Sequence, residues 1–193
     1  MDKREASRRL FMMKSTAGLG SVWLASHFAD ILAAQEHAHH AASSDVRARL
    51  EYFTHEQAVE VEAIAAQIIP TDDTPGAREA RVIYFMDRAL ATFSSGDRAA
   101  FVEGLKQLQK KTSKQFGKNK RFSELASEQQ IKLLKAIEKS DFFELVRTMT
   151  ILGMFSNPEY GGNHDKIGWK LIGFEDQFFF KPPFGFYDRD YHS

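Results

Sequence analysis

His164 stands in the string Gly161-Gly162-Asn163-His164-Asp165, where close backbone approach could aim an imidazole at a substrate. Imidazole is the side chain best suited to proton transfer near neutrality. Turn chemistry accounts for the same glycines and asparagine, however, so the string alone does not make a catalytic histidine. Asp72 and Asp73 form a second candidate, as paired carboxylates for acid/base work or as ligands of a hard cation. They fall between Ile68-Ile69-Pro70 and Thr74-Pro75-Gly76, where turn and capping residues belong. His37, His39 and His40 are a third candidate, an imidazole cluster for a divalent metal, in a segment with no scaffold to fix ligand geometry. The sequence contains no nucleophile elbow, phosphate loop or dinucleotide fingerprint. It contains no cysteine either, which removes thiolate nucleophiles, disulfides, cysteine-ligated zinc and covalently attached c-type haem. The residues therefore point to no catalytic group, no metal site and no cofactor held by this chain.

The elements that would position such groups are those of one modest domain. The chain has 193 residues, 43% of them hydrophobic and 12% aromatic, enough for a core that needs no disulfide or structural metal. Its 26 Lys+Arg are balanced by 26 Asp+Glu, which argues against a nucleic acid partner, because phosphate-binding domains carry a basic excess.

Residues 1–43 have the character of an address. Ser7, Arg8, Arg9, Phe11 and Lys14 precede a moderately apolar run rich in Ala, Gly and Ser, the pattern of a twin-arginine export signal followed by a linker. His27 and Asp30 interrupt the run, which makes it a poor membrane span. The expected destination is the periplasm, with membrane association only through partners. That route carries folded cargo and is used especially where a cofactor is inserted before export; with no cofactor motif here, the pattern suggests either simple rapid folding or transport together with a partner that holds one.

The body, residues 44–175, reads as a compact all-α bundle of about five helices. Thr54 and Gln57 make a capping box before Val61, Ile64, Ala65 and Ile68, and Pro70 stops that helix. Thr74, with Pro75 at the first position, is placed to cap a second helix carrying Val82, Ile83, Met86 and Leu90. A third, which Asp97 is placed to cap, carries Phe101, Leu105, Leu108 and Thr112 on one face. Its basic end (Lys110, Lys111, Lys114, Lys118, Lys120, Arg121) reads first as a solvated terminus that complements the helix dipole and second as a docking patch for an acidic partner. Ser127 with Gln130 repeats the capping-box spacing, and a helix from about Phe142 to Phe155 is apolar nearly all round, as a central helix or one covered by another chain would be. Ile167 to Phe174 forms a short helix or an extended piece.

The remaining segment, residues 176–193, is unusual. Phe178, Phe179, Phe180, Phe184, Phe186, Tyr187 and Tyr191 are interrupted by Pro182, Pro183 and Gly185, too irregular for a buried helix. Rings of this size are costly to leave in water. The tail either wraps over its own bundle or lies on another subunit, and partner contact is its expected role.

Two strings go beyond composition. The first is Ile68-Ile69-Pro70-Thr71-Asp72-Asp73-Thr74-Pro75-Gly76-Ala77-Arg78-Glu79-Ala80, followed by a helix with Phe85 and Asp87. The second is Gly153-Met154-Phe155-Ser156-Asn157-Pro158-Glu159-Tyr160-Gly161-Gly162-Asn163, with Gly168-Trp169 and Ile172-Gly173-Phe174 after it. In content, order and separation they resemble the two signatures of the gluconate 2-dehydrogenase subunit 3 family, over roughly residues 50–175. The resemblance implies a non-catalytic, cofactor-free small subunit. Its partner would be a large flavoprotein of the glucose-methanol-choline oxidoreductase type that holds FAD and oxidises sugars, sugar acids, polyols or glycosides. A haem-bearing cytochrome c subunit often completes such complexes. The small subunit would support folding and lend its export signal, read by the twin-arginine translocase, to the large one. Residues Pro70, Thr71, Asp72, Asp73, Pro75, Gly76 and Ala77, with Pro158, Tyr160, Gly161, Gly162, Asn163, Gly168, Trp169, Gly173 and Phe174, would then set helix packing or shape the partner-facing surface. Two competing readings remain open at this level: a metal-assisted enzyme using Asp72, Asp73 and His164, and a stand-alone exported carbohydrate-binding module.

Overall fold

The computed structural model describes residues 49–177. The twin-arginine segment, the His37–His40 cluster and the aromatic tail from Phe178 lie outside the described residues. Within them the chain is all-α, with six α-helices and short 3-10 turns: α1 (His55–Ile68), α2 (Val82–Ala91), α3 (Arg98–Phe116), α4 (Ser127–Lys135), α5 (Asp141–Phe155) and α6 (Ile167–Ile172).

The apolar helix α5 is central, packing against α1, α2, α3 and α6. Its two buried threonines fit this position; Thr150 Oγ1 donates to the Val146 carbonyl at 2.7 Å and so needs no outside partner. Ser140 starts the helix by accepting from the Phe143 amide. Around α5 the core is completed by Ile64, Met86, Leu90, Phe101, Leu108 and Leu133, each essentially solvent-free, and burying each large apolar side chain contributes about 1.5–3 kcal/mol. Phe101 meets the Phe142 ring edge-on at 5.6 Å. The α3–α5 approach depends on Gly104, where a Cβ would stand 2.2 Å from the Phe142 ring.

The capping box of α1 forms as its spacing predicts, with Thr54 and Gln57 exchanging side-chain to backbone bonds. Three other starts differ, and at the first of them Asp97 precedes α3 without a side-chain bond to its opening amides. Thr74 does not cap α2, which begins eight residues later, at Val82; the Asp72 carboxylate instead accepts from both the amide and hydroxyl of Thr74, closing a local turn. Ser127 is the first residue of α4 and not its cap: Gln129 accepts from the Ala126 amide. Gln130 is thereby left to bridge, accepting from Gln67 of α1 and donating to the Phe122 carbonyl.

The Asp72 turn leads to Glu79, whose carboxylate accepts from the Gly76 amide and the Thr71 hydroxyl. The Thr71 hydroxyl bond, with the Gly76 amide and Arg78 assisting, holds this exposed carboxyl below its usual range. A folded-state pKa below the unfolded value stabilises the fold above the ordinary carboxylate range, and that contribution is lost as pH falls through the lowered value. The Glu79→Gln variant should therefore melt below wild type near neutrality, with the gap closing as pH drops below about 4. A gap independent of pH in thermal melts would contradict this account.

Candidate functional site

The first signature is a connector folded tightly on itself. Ile69 ends α1 and its carbonyl accepts from the Ala77 amide at 2.9 Å, closing the loop between them. Gly76 lies against the backbone of that closure, where a Cβ would come within 2.5 Å of the Ile69 oxygen. Gly76 and Ala77 are buried, whereas Pro70, Thr71, Asp72, Asp73 and Pro75 form an exposed rim.

The second signature is organised by Asn163, which is fully buried and left-handed at φ 46°. Its amide donates to the Gly153 carbonyl at 2.7 Å and its side-chain Nδ2 to the Ser156 carbonyl, while its Oδ1 accepts from the Gly168 amide. One side chain thus ties the end of α5 to the start of α6. The glycines on either side let the backbones meet. A Cβ on Gly162 would stand 2.1 Å from the Gly153 oxygen, and one on Gly168 would stand 1.8 Å from the Met154 oxygen. Trp169 extends the clamp by donating its indole N–H to the Phe155 carbonyl at 2.7 Å.

The tertiary structure brings these two distant strings together at the base of α2. The His164 amide donates to the Ala80 carbonyl at 3.1 Å, and Arg88 donates to the Glu159 carbonyl. Gly161 packs on the Tyr84 backbone, and Gly153 leaves room for Val82 and Phe85. Tyr160, half-buried beside Pro158 in a 3-10 turn, has its phenol pushed up by burial and then by the neighbouring Glu159 charge.

The buried residues of this cluster are scaffolding, and the side chains considered for chemistry lie at its exposed rim. The His164 imidazole is partly exposed and faces Asp165 at 3.4 Å. Asp72 is engaged in its own turn, and among the described residues no three His, Asp or Glu side chains converge as a metal group. A half-open cleft of about 410 Å³ lies between α3 and the α4–α5 connection, floored by Leu108, Ile137 and Phe142 and edged by Lys111, Lys135 and Lys139. It contains none of the signature residues.

The family model for gluconate 2-dehydrogenase subunit 3 matches residues 55–176, a span that takes in both strings. The chain belongs to this family. It is thus a subunit of a dehydrogenase complex. No curated protein and no solved structure matches it.

Within this subunit 3 domain the signature residues divide. Gly76, Ala77, Gly162, Asn163 and Gly168 are buried and hold the helices together. Gly173 ends α6 in the left-handed region at φ 70°, with open space around it, and Phe174 beside it is exposed. Two residues outside the expected set matter as much. Asp87, only 1% exposed, accepts from the backbone amides of Glu51, Tyr52 and Phe53 and pins the segment before α1 to α2. Its position was visible in sequence as an acid on the apolar stripe of α2, four residues after Ile83 and three before Leu90. Ile172 is the other, 57% exposed and beyond the reach of any local signal. No helix among the described residues is long and apolar enough to cross a membrane.

Proposed function

We propose that this subunit 3 chain is the non-catalytic small subunit of an exported flavin-dependent dehydrogenase. It assists folding of a large FAD-binding partner of the glucose-methanol-choline type and carries it through the twin-arginine translocase to the periplasm. The observation that supports this reading is how the two family strings are used: their buried glycines and Asn163 spend their hydrogen-bonding and steric freedom on helix packing. A chain built this way contributes shape and surface to a complex. The hydride chemistry on a sugar, sugar acid, polyol or glycoside then belongs to the FAD of the large subunit, with a cytochrome c subunit as electron acceptor in the larger assemblies. Arg8 and Arg9 are the residues the translocase reads.

Co-purification from the native host tests this, with an affinity tag inserted in the exposed Gly117–Lys120 turn so that both ends stay native. A yellow complex containing a large flavoprotein is expected. In a strain carrying Arg8→Lys and Arg9→Lys, periplasmic dehydrogenase activity should fall at least tenfold while the flavoprotein accumulates inside the cell. A colourless, monodisperse single chain from the wild-type host is the result that would sink the proposal.

A further inference from the structure

The half-open cleft between α3 and the α4–α5 connection joins an apolar floor to a basic edge. Leu108 and Phe142 are buried and Ile137 half-buried beneath it, while Lys111 of α3, Lys135 at the end of α4 and Lys139 in the connection are exposed around it. Glu138 is the one acidic residue of the lining. At about 410 Å³ the cleft falls in the range of about 300–1,000 Å³ usual for binding pockets.

Helix-dipole complementarity accounts for Lys135, which lies in the last turn of α4. It does not explain why Lys111, ahead of the last turn of α3, and Lys139, outside any helix, come to the same cleft. Among the described residues none of these three lysines is in an ion pair. Like charges gathered around an apolar floor repel one another, and a carboxylate seated among them relieves that repulsion. The wider surface has the same sign. From Arg98 to Asp141 the chain has eleven basic and five acidic residues, although the full sequence balances 26 against 26.

The walls of the cleft are fixed in place. Ser140 donates its amide at 2.8 Å and its hydroxyl at 2.7 Å to the Ile137 carbonyl, which locks the turn carrying Glu138 and Lys139. On the opposite wall Gly104 lets Phe142 lie directly against α3. A site held this way needs little ordering when it is filled. Its open side bears on what fills it. Pockets for small molecules ordinarily enclose about 70–90% of the ligand, whereas a cleft open along one side suits one or two side chains of a segment that runs on beyond it. Membership of a dehydrogenase complex supplies a protein surface to provide that segment.

We propose that this cleft receives an acidic segment of the large dehydrogenase subunit, with an apolar side chain of the segment resting on Leu108, Ile137 and Phe142 and its carboxylates meeting Lys111, Lys135 and Lys139. This rests on the subunit reading above. An apolar anchor seated in a pocket within a charged rim is the arrangement that concentrates binding energy at interfaces. The rim charges orient the encounter, so association weakens as salt is raised.

The test uses the full chain in its native host, with Gln107, an exposed residue of the lining, replaced by photoreactive benzoylphenylalanine and, in a control, Ile131, exposed on α4 outside the cleft, replaced in the same way. Irradiation should join position 107, and not position 131, to a stretch of the large flavoprotein in which Asp and Glu outnumber Lys and Arg, as read by mass spectrometry of the joined peptides. Lys111→Glu, Lys135→Glu and Lys139→Glu together should lower co-purified flavin at least tenfold at an unchanged melting temperature, while Lys111→Arg, Lys135→Arg and Lys139→Arg together should preserve it. Lys106→Glu, Lys110→Glu and Lys114→Glu, exposed on α3 but outside the cleft, should together lower it less than threefold. Equal losses from the two reversals would assign the effect to diffuse charge and overturn the proposal, as would undiminished flavin in the cleft variant. So would an adduct from position 107 to this chain, to a second copy or to no protein at all, or a fatty acid retained by the cleft in native mass spectrometry. In these cases the subunit reading survives, because the wild type still captures its partner. A wild-type chain that captures no flavoprotein overturns both.

Discussion

Replacing Asp87 by alanine should lower the unfolding free energy by about 3–5 kcal/mol, the largest loss expected from a polar side chain in this fold. Its two carboxylate oxygens take three backbone N–H bonds, at 2.6, 3.0 and 2.7 Å, from Glu51, Tyr52 and Phe53. Bonds to a charged acceptor contribute about 1.5–3 kcal/mol each, but the loss is limited because the freed segment can peel away and bond to water. Peeling has its own cost. Phe53 is buried with its ring 5.4 Å from Phe101, and Tyr52 lies under Arg98, so release of the backbone uncovers one corner of the core. Asp87→Asn keeps one acceptor and turns an amide donor toward backbone donors, so it should cost somewhat less, about 2 kcal/mol. Urea unfolding of the full chain measures both. Limited proteolysis should show early cleavage around residues 49–53 in either variant. A change below about 1 kcal/mol for the alanine would mean that the clasp contributes little.

Gly168→Ala should be comparably severe, at about 3 kcal/mol or more, for a purely steric reason. The added Cβ would stand 1.8 Å from the Met154 carbonyl oxygen, and the obstacle is backbone of the central helix, which cannot swing aside as a side chain can. α6 must lift, breaking the Gly168 bond to Asn163 Oδ1 and the Trp169 indole bond to Phe155. Trp169 is one of only two tryptophans in the sequence, so its exposure should register as a red shift in emission alongside the lower melting temperature. Gly96→Ala is the control: no atom lies within 4 Å of its added Cβ, and its effect should stay within about 0.5 kcal/mol. If the two variants melted alike, the close α5–α6 approach would not be what position 168 requires.

The contrast between these positions tracks what was legible in the residues. Thr54 and Gln57 could be read as a capping box because both partners lie within one helical turn, and the bond formed as read. The same local reasoning placed a cap at Thr74 and failed. There the Glu79 carboxylate takes the Gly76 amide, and Gly76 packs against the end of α1, so the chain completes a tight connector before α2 starts. At Ser127 the pattern was offset by one residue because Gln130 has a better use, reaching Gln67 on α1 and the Phe122 carbonyl. Both misreadings arose where a contact remote in sequence outcompeted a nearby one of similar strength.

By itself the sequence determined the helical class, a helix around Val146 and Met149 that is apolar nearly all round, and membership of the gluconate 2-dehydrogenase subunit 3 family through two strings of defined content and order. Those properties follow from spacing along the chain, which a helix converts directly into faces. The tertiary structure alone decided that Gly162, Asn163 and Gly168 face inward as a clamp, while Ile172 and Phe174, a few residues on, face water. Whether a missing Cβ makes room for a carbonyl, or an amide finds an acceptor, depends on which distant backbone arrives beside it. That is set by the packing of α5 against α2 and α6 and is written in no single stretch of residues.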